Sequence, residues 1–443
     1  MPKFMPSKGP GTKSLRNLML GFDTSNNLRF IHLPPYRVDP IMSPGSSPAN
    51  HVHTVHGASK FSAGSTYDTL RTSSCTSCLI SQDLSTYCKH HPRMAKLTFI
   101  VTLLCREDFP KLYFRDPQTL KYEAVPNGNL LVYYLNRGSA DVANGGSGLK
   151  AFPPGLVMMS GNPNRRTKKY PYVSGVGFAG TQEELKERAI EWTCLRYINS
   201  TASGYDSTTS IGAKGFPSTN CEVGVNLRIH MPACWDGVNL DSPDHMSHVA
   251  YLSQLDNGDC PSTHPVTFMK MSYEITWDIQ KLENRWDYTK DEWPFVFSNG
   301  DPTGYSSHAF FQNGWDAQVL QNAIDRCNNP DDDTGHGDPK ACQFFTVKSP
   351  DDAMACKIEP SVKDSFEGVL DKLPGCNPLQ VGPDDATVYS DSSCPAFSAN
   401  GSVAPNTPPG GGGTGSAGIS APSVNVAFFM ASLLMACSAL LSF

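Results

Sequence analysis

The sequence predicts a mainly β, disulfide-linked, β-sandwich-like domain with a few helices and long loops. The chain has 37 glycines and 35 prolines in 443 residues, which favours turns and strands over a helical bundle. Several segments alternate apolar and polar side chains at the period of a β-strand. The 14 cysteines are scattered along the chain, which is typical of disulfides formed in the secretory pathway.

Four segments show the strand alternation clearly. They are Leu130 to Leu135, Val225 to Met231, Val266 to Trp277, and Pro294 to Ser298. In the third segment we expect Tyr273 and Ile275 to face one side of a sheet and Glu274 and Thr276 to face the other.

Two helices are predicted. Thr181-Gln-Glu-Glu184 is a capping box that opens a helix over Gln182 to Tyr197. The second helix spans Asp316 to Cys327. The side chains expected on the buried faces are Leu185, Ala189 and Ile190 in the first helix and Val319, Leu320, Ala323 and Ile324 in the second.

The chain divides into four parts. Residues 1–30 have an apolar stretch of only about five residues, shorter than the roughly 7–15 of a signal peptide. Either the protein is not exported or its natural start differs, and we expect the second. Residues 31–394 form the expected ectodomain. Residues 395–425 are a linker rich in Pro, Gly and Ser, and residues 426–443 are an apolar tail.

The tail predicts the location of the protein. No charged residue follows Asp391, and the chain stops inside the apolar run. Small residues before a short polar spacer and an apolar end indicate a glycolipid (GPI) anchor signal, with attachment at Gly415 or Ser416. The alternative is a membrane-spanning tail anchor. We therefore expect a secreted glycoprotein on the extracellular face of the plasma membrane or in the cell wall, glycosylated at Asn199 and Asn400.

Charge excludes one class of partner. The formal net charge is −6 and the pI is about 6.0, without a basic stripe along the sequence. Nucleic acid is therefore not expected as a partner. The expected partners are cell-wall polysaccharide and, through the lipid anchor, the membrane.

Histidines form the densest group of candidate site residues. His51 and His53 are two apart, which on a strand puts both imidazoles on one face. Asp244, His248 and His264 lie in turn-rich segments. A transition metal bound by His51, His53 and His248 is one interpretation. Metal-free acid–base catalysis on a glycan by these five residues is another, and structural histidines that hydrogen-bond turns are a third.

Aromatic residues offer a non-catalytic alternative. Sugar rings stack on exposed aromatic faces, whereas aromatic residues in a sandwich commonly fill the core. The candidates are Trp235, Tyr273, Trp277, Trp286, Trp293, Trp315 and the pair Phe310 and Phe311.

Several segments together resemble a family of fungal secreted domains of unknown function, over about residues 37–330. These segments are His32-Leu-Pro-Pro-Tyr-Arg-Val-Asp-Pro-Ile-Met-Ser-Pro-Gly45, His51-Val-His53, Ser74-Cys-Thr-Ser-Cys78, Ala151-Phe-Pro-Pro-Gly155, Met231-Pro-Ala-Cys-Trp-Asp-Gly237, Asp241-Ser-Pro-Asp-His-Met-Ser-His-Val-Ala-Tyr251, Cys260-Pro-Ser-Thr-His-Pro265, Phe297-Ser-Asn-Gly-Asp-Pro-Thr-Gly304 and Asn313-Gly-Trp-Asp316. Members sometimes lie beside WSC-type sugar-binding modules. The resemblance implies a cell-wall protein and supplies no reaction.

The resemblance also implies two departures from the family pattern. Residues 88–109 are an insertion, and we hypothesise an unspliced intron, which sequencing the transcript tests. A cysteine before Arg37 is absent. Without Cys88, Cys105 and Cys437, 11 of the 14 cysteines remain, and restoring the missing one makes twelve, enough for six bridges.

Two functions follow as expectations. The first is a carbohydrate-active enzyme with a histidine-rich site, which requires the three histidine segments to meet in a cleft. The second is a wall protein that binds glycan or has a structural role, which requires dispersed histidines and an exposed aromatic face.

Overall fold

The computed structural model of the chain describes about seven tenths of it. The described residues are 37–86 (without 43, 46–47, 54 and 56), 101–103, 110–171, 177–195, 210–212, 215–217, 221, 223–287, 289–329, 331–356 and 365–404. They belong to one compact unit, Met1–Ala404, whereas Pro405–Phe443 form a second unit. The expectations for residues 1–30, Asn199, Gly415, Ser416 and the tail 426–443 fall outside the described residues.

Strands contain more of the described residues than helices do, which confirms the mainly β prediction. In chain order they are β1 (Val101–Leu103), β2 (Leu112–Arg115), β3 (Tyr122–Ala124), β4 (Asn127–Leu135), β5 (Val157–Gly161), β6 (Ile190–Leu195), β7 (Ser210–Gly212), β8 (Gly224–His230), β9 (Cys234–Trp235), β10 (Val249–Ala250), β11 (Val266–Thr267), β12 (Lys270–Trp277), β13 (Phe295–Phe297), β14 (His308–Gln312) and β15 (Val369–Leu370).

The strands pair antiparallel in four sheets. A six-stranded sheet has the order β1-β4-β12-β8-β6-β7, and a four-stranded sheet has the order β13-β2-β3-β15. A three-stranded sheet (β10-β9-β11) and the pair β14-β5 complete the set. Inward side chains of the six-stranded sheet, the four-stranded sheet and the β14-β5 pair meet in one large core cluster, as in a sandwich.

The predicted strands are present, with one break. Tyr273 and Ile275 face the core, as the alternation predicts. The segment predicted as one strand over 266–277 is two, because β11 pairs with β9 whereas β12 pairs with β4 and β8. Phe268 lies at the change of sheet and donates its backbone N–H to the Ala233 carbonyl.

The helices are short, and one prediction of their extent was wrong. They are α1 (Tyr67–Arg71), α2 (Gln182–Arg188), α3 (Ala317–Arg326) and α4 (Pro350–Ala355), with 3-10 turns at Val142–Asn144, Ile279–Arg285, Asp333–His336 and Asp391–Ser393. No helix in the described part of the chain has both the length and the apolar character needed to cross a bilayer.

The capping box at Thr181 is present, but α2 ends at Arg188 instead of continuing to Tyr197. Residues 190–195 form β6, because Ile190, Trp192 and Cys194 alternate at strand spacing and bury their side chains in the core.

Five disulfides link the described residues, which confirms the disulfide prediction. The pairs are Cys75–Cys356, Cys194–Cys221, Cys234–Cys260, Cys327–Cys342 and Cys376–Cys394. The first joins residues 281 apart and ties α4 to the segment that follows α1.

Candidate metal site

Three imidazoles converge at one point of the domain, and we call His51, His53 and His308 the histidine group. The Nε2 atoms of His51 and His53 are 2.7 Å apart, and those of His51 and His308 are 3.4 Å apart. One ring nitrogen from each residue lies within 4.8 Å of the others. Ligands at 2.0–2.1 Å from a tetrahedral metal are separated by similar distances, so the group fits a transition metal.

Backbone carbonyls orient two of the three rings. His53 Nδ1 lies 3.4 Å from the Val38 carbonyl oxygen, and His308 Nδ1 lies 2.7 Å from the Ser306 carbonyl oxygen. A proton on Nδ1 that is donated to a carbonyl leaves the Nε2 lone pair available to a metal. The structure therefore favours the tautomer of His53 and His308 that ligation requires.

The strand pair β5-β14 positions His308. His308 is the first residue of β14 and lies opposite Gly161, the last residue of β5. Gly161 has a φ of +88°, and a Cβ at this position would lie 2.2 Å from the Ser307 carbonyl oxygen. Only glycine permits this close approach of the two strands. Phe310, which lies in β14 two residues after His308, packs edge-on against both rings. Its ring centroid is 6.1 Å from that of His53 and 5.6 Å from that of His308.

Burial keeps the histidine group neutral. It lowers the pKa of His53 to about 4. Burial, together with the neighbouring His53, lowers the pKa of His308 to about 4, and the pKa of the half-buried His51 is also well below its usual range. Neutral imidazole is the form that binds metal ions, so the environment and the geometry favour the same chemistry.

Asp39 is a buried carboxylate beside the histidine group. Its Oδ1 accepts hydrogen bonds from the backbone amides of Ile41 and Met42 at 2.9 and 2.8 Å. Burial raises the pKa of Asp39, while His308 and His245 oppose this rise electrostatically. Asp39 follows Val38, whose carbonyl faces His53, so one short segment supplies both the carboxylate and the orienting carbonyl.

A cleft of about 230 Å³ borders the strand pair that carries His308. Gly161, the partner of His308, lines it, as do Tyr305, Arg165 and Glu187. Arg165 and Glu187 form an ion pair at 3.0 Å across its wall. The volume is below the roughly 300–1,000 Å³ of pockets for drug-sized ligands, so the cleft suits a single small polar unit.

His248, expected as a metal ligand, is not part of the histidine group, and His308 holds that place. His248 Nε2 lies 2.7 Å from the Val157 carbonyl oxygen, and its Nδ1 lies 2.8 Å from the Ser242 hydroxyl. Nε2 therefore attaches the turn to β5 and Nδ1 bonds within the turn, so both ring nitrogens are already engaged.

Asp244 and His264 lie in the same turn region as His248. Asp244 accepts hydrogen bonds from Ser242 and Ser247. Burial raises its pKa, but these bonds outweigh burial and lower the pKa below the usual range. His264 Nε2 is 3.1 Å from the Ser247 carbonyl oxygen. The structure thus brings two of the predicted segments together through hydrogen bonds, and none of these three side chains belongs to the histidine group.

Sequence reasoning missed His308 and Asp39. The sequence contains a weak signal for His308 as a site residue. His308 is the first residue of the apolar segment His308-Ala-Phe-Phe-Gln312, and a buried imidazole there needs a polar partner. Asp39 lies in the segment used for the family resemblance, but nothing in its spacing relates it to a histidine.

The predicted aromatic candidates lie mostly in the core. Trp277 and Trp315 are almost completely buried, as are Tyr273, Phe310 and Phe311. Trp235, Trp286 and Trp293 are partly buried and pack against the main core cluster. None of these candidates is an exposed platform in the described part of the chain.

Comparison with known proteins gives one match. The profile of a family described as "Domain of unknown function (DUF1996)" matches residues 39–93 and 109–315, which is more than half of the chain. The match omits 94–108, within the stretch 88–109 that the sequence predicts to be an insertion. Of these residues, β1 is described, and it pairs with β4 at the edge of the six-stranded sheet. No curated protein and no solved structure matches the chain significantly.

Proposed function

We propose an activity for this chain, which belongs to the DUF1996 family of domains of unknown function. The proposal is drawn from the geometry of the histidine group. The domain binds a transition metal through the Nε2 atoms of His51, His53 and His308 and acts as an enzyme on cell-wall polysaccharide. The observation that carries the proposal is the convergence of these three nitrogens.

Three protein ligands are the number found in catalytic zinc sites, where a fourth position stays open for water or substrate. A bound zinc or copper ion supplies Lewis acidity at that position. The chain's own residues hold the ligands: the carbonyls of Val38 and Ser306 orient two rings, and Phe310 limits their rotation. Asp39 provides a buried proton acceptor nearby.

The cleft beside Gly161 supports a sugar unit as the substrate. Its Arg165–Glu187 pair offers both donors and acceptors, which sugar hydroxyls need. The burial of the aromatic candidates favours this enzyme over a non-catalytic wall protein that binds glycan through stacked rings. That non-catalytic protein remains the alternative if no turnover is found.

Metal analysis of the purified unit Met1–Ala404 tests the ligand set. We expect about one equivalent of zinc or copper in the wild type and in His264→Ala, which changes a histidine outside the group. His308→Ala should lose the metal. A wild type without metal, or a His308→Ala protein that keeps its full content, contradicts the proposed site.

A turnover assay then separates enzyme from binding protein. Metal-loaded protein and protein stripped with a chelator are incubated with insoluble β-1,3-glucan and with chitin, and soluble products are analysed by mass spectrometry. Metal-dependent product release supports the enzyme. Bound metal with no product from either polymer supports the non-catalytic alternative.

The location is proposed together with the activity. Five disulfides suit the secretory pathway, and the tail 426–443 with Gly415 and Ser416 suits a GPI anchor on the extracellular face. A phosphatidylinositol-specific phospholipase C should release the protein from intact cells. A variant without residues 426–443 should appear in the medium without the enzyme. Retention after phospholipase treatment contradicts the anchor.

A further inference from the structure

The cleft beside Gly161 contains more positive than negative side chains. Five charged residues line it, three of them cationic and two acidic: Arg165, Lys169, Lys186, Glu183 and Glu187. This excess of one positive charge contrasts with the formal net charge of −6 for the whole chain. A cleft lined by an excess of one sign of charge attracts ligands of the opposite sign.

Glu187 fixes the basic segment, Arg165-Arg-Thr-Lys-Lys169, to α2. Its Oε2 accepts hydrogen bonds from Arg165 Nη1 at 3.0 Å and from the backbone amide of Lys169 at 2.8 Å. Its Oε1 accepts one from the backbone amide of Tyr170 at 3.0 Å, and the side chain is only 5% exposed. Three donors thus compensate the charge of this carboxylate, so little of it remains to repel an anionic ligand.

Two cations of the basic segment keep hydrogen-bond donors unused. The guanidinium of Arg165 can donate five hydrogen bonds, and among the described residues it donates one, from Nη1 to Glu187. Its buried Nε has no partner there. The Lys169 side chain is exposed, and its ammonium forms no hydrogen bond or ion pair with the described residues. Lys186, by contrast, pairs with Glu183 at 2.8 Å, so Arg165 and Lys169 are the cations available to a ligand.

The rest of the cleft suits a sugar ring more than a free inorganic anion. Ile190 and Met246 line it together with the charged residues, and its volume is about 230 Å³. Binding sites for organic ligands combine such apolar surface with a few charged or polar groups that fix orientation. A sugar that carries an acidic group presents both an apolar face of C–H groups and a negative charge.

We propose that the cleft binds the carboxylate of a uronic-acid unit in the polysaccharide substrate, with Arg165 and Lys169 as the residues that bind it. The planar guanidinium of arginine matches the geometry of a carboxylate, and the single negative charge of a uronate equals the excess charge of the cleft. Gly161 lines the cleft and lies opposite His308, so the bound unit would be held next to the histidine group. The polysaccharide rests on the proposed function, but binding in the cleft requires no metal.

Calorimetry on the purified, chelator-treated protein tests the carboxylate site. The probes are a tetramer of β-1,4-linked glucuronate, cellotetraose, which has the same linkage without carboxylates, and inorganic phosphate. We expect the glucuronate tetramer to bind at least tenfold more tightly than either of the others, and His308→Ala to bind it as the wild type does. Binding of glucuronate by a protein that holds no metal would refute the proposed function alone. Metal-dependent turnover without glucuronate binding would refute the carboxylate site alone.

The two comparison probes identify the source of any affinity. Cellotetraose that binds as tightly as the glucuronate tetramer overturns the role of the carboxylate. Inorganic phosphate that binds as tightly overturns the role of the sugar.

A matched pair of charge reversals locates the binding. Lys169→Glu should weaken binding of the glucuronate tetramer at least tenfold. Lys340→Glu changes the net charge equally at an exposed lysine that does not line the cleft, and it should change the affinity less than about threefold. Arg165→Lys keeps a positive charge beside Glu187 but loses the planar fork, so it should weaken binding at least threefold. The proposal is overturned if folded Lys169→Glu or Arg165→Lys binds the tetramer as the wild type does, or if Lys340→Glu weakens binding as much as Lys169→Glu.

Discussion

Replacing Gly161 by alanine tests whether the β5-β14 contact sets the geometry of the histidine group. The added Cβ would lie 2.2 Å from the Ser307 carbonyl oxygen and 2.7 Å from His308 Cα. Both are backbone atoms, so no side-chain rotation relieves the contact. The start of β14 must move by roughly 1 Å to restore ordinary van der Waals separation.

Two effects should lower the free energy of unfolding of Gly161→Ala. A non-glycine residue at positive φ costs about 1–2 kcal/mol, and overpacking of a well-packed site costs about 1–3 kcal/mol. The free energy of unfolding of Gly161→Ala should therefore fall by about 2–5 kcal/mol. Metal–nitrogen distances tolerate only about 0.2 Å, so a displaced His308 should also weaken Zn²⁺ affinity at least tenfold.

Gly145→Ala is the matched control. Gly145 has a φ of +82°, close to the +88° of Gly161, but no heavy atom lies within 4 Å of its added Cβ. This control carries the backbone strain without the contact, so it should lose about 1–2 kcal/mol and keep its Zn²⁺ affinity. Urea unfolding measures the stability of both variants, and competition with a zinc-binding dye measures the affinity.

The reasoning fails on either of two results. One is a Gly161→Ala protein that binds Zn²⁺ as tightly as the wild type does. The other is an equal loss of affinity in both variants, which would trace the effect to general destabilisation instead of the position of His308.

Two further predictions concern protons and cross-links. The pKa of His53 and of His308 is about 4 in the folded protein against about 6.5 unfolded, so the unfolded chain binds protons first as the pH falls. Metal-free protein should thus be most stable above pH 6.5, and its free energy of unfolding should fall by up to roughly 3 kcal/mol per histidine between pH 6.5 and 4. Urea unfolding that shows no such fall over this range contradicts the low pKa of the two histidines. Replacing Cys75 and Cys356 by serine opens a loop of 281 residues and should lower the free energy of unfolding by roughly 5.6 kcal/mol. Removing the Cys327–Cys342 bridge, which closes a loop of 15 residues, should lower it by roughly 3 kcal/mol. Equal losses in thermal or urea unfolding would contradict this loop-length argument.

Local signals in the sequence predicted much of the fold. Alternation identified β12 and the faces of Tyr273 and Glu274, because a buried core imposes a period of two on the strand. The capping box identified the start of α2 correctly but contains no information on its end. The end of α2 depends on pairing of β6 with β8, which is a long-range contact that composition does not report.

Part of the candidate site could likewise be predicted from local sequence, and part of it depends on long-range contacts. The two-residue spacing of His51 and His53 is local, and the structure brings their Nε2 atoms together. His308 is 257 residues from His51 and reaches it only through the pairing of β14 with β5. His248 looked equivalent in sequence, but its bonds to Ser242 and Val157 become visible only in the folded turn.

Two of the disulfides determine what happens to this domain after a single cut in its backbone. A protease that cleaves the exposed acidic loop near Asp331 separates the chain into two polypeptides, but Cys327–Cys342 and Cys75–Cys356 both span the cut and keep them one molecule. The nicked protein would migrate as an intact species on a non-reducing gel and as two fragments after reduction. The histidine group would stay assembled, since all three of its members lie on the amino-terminal fragment.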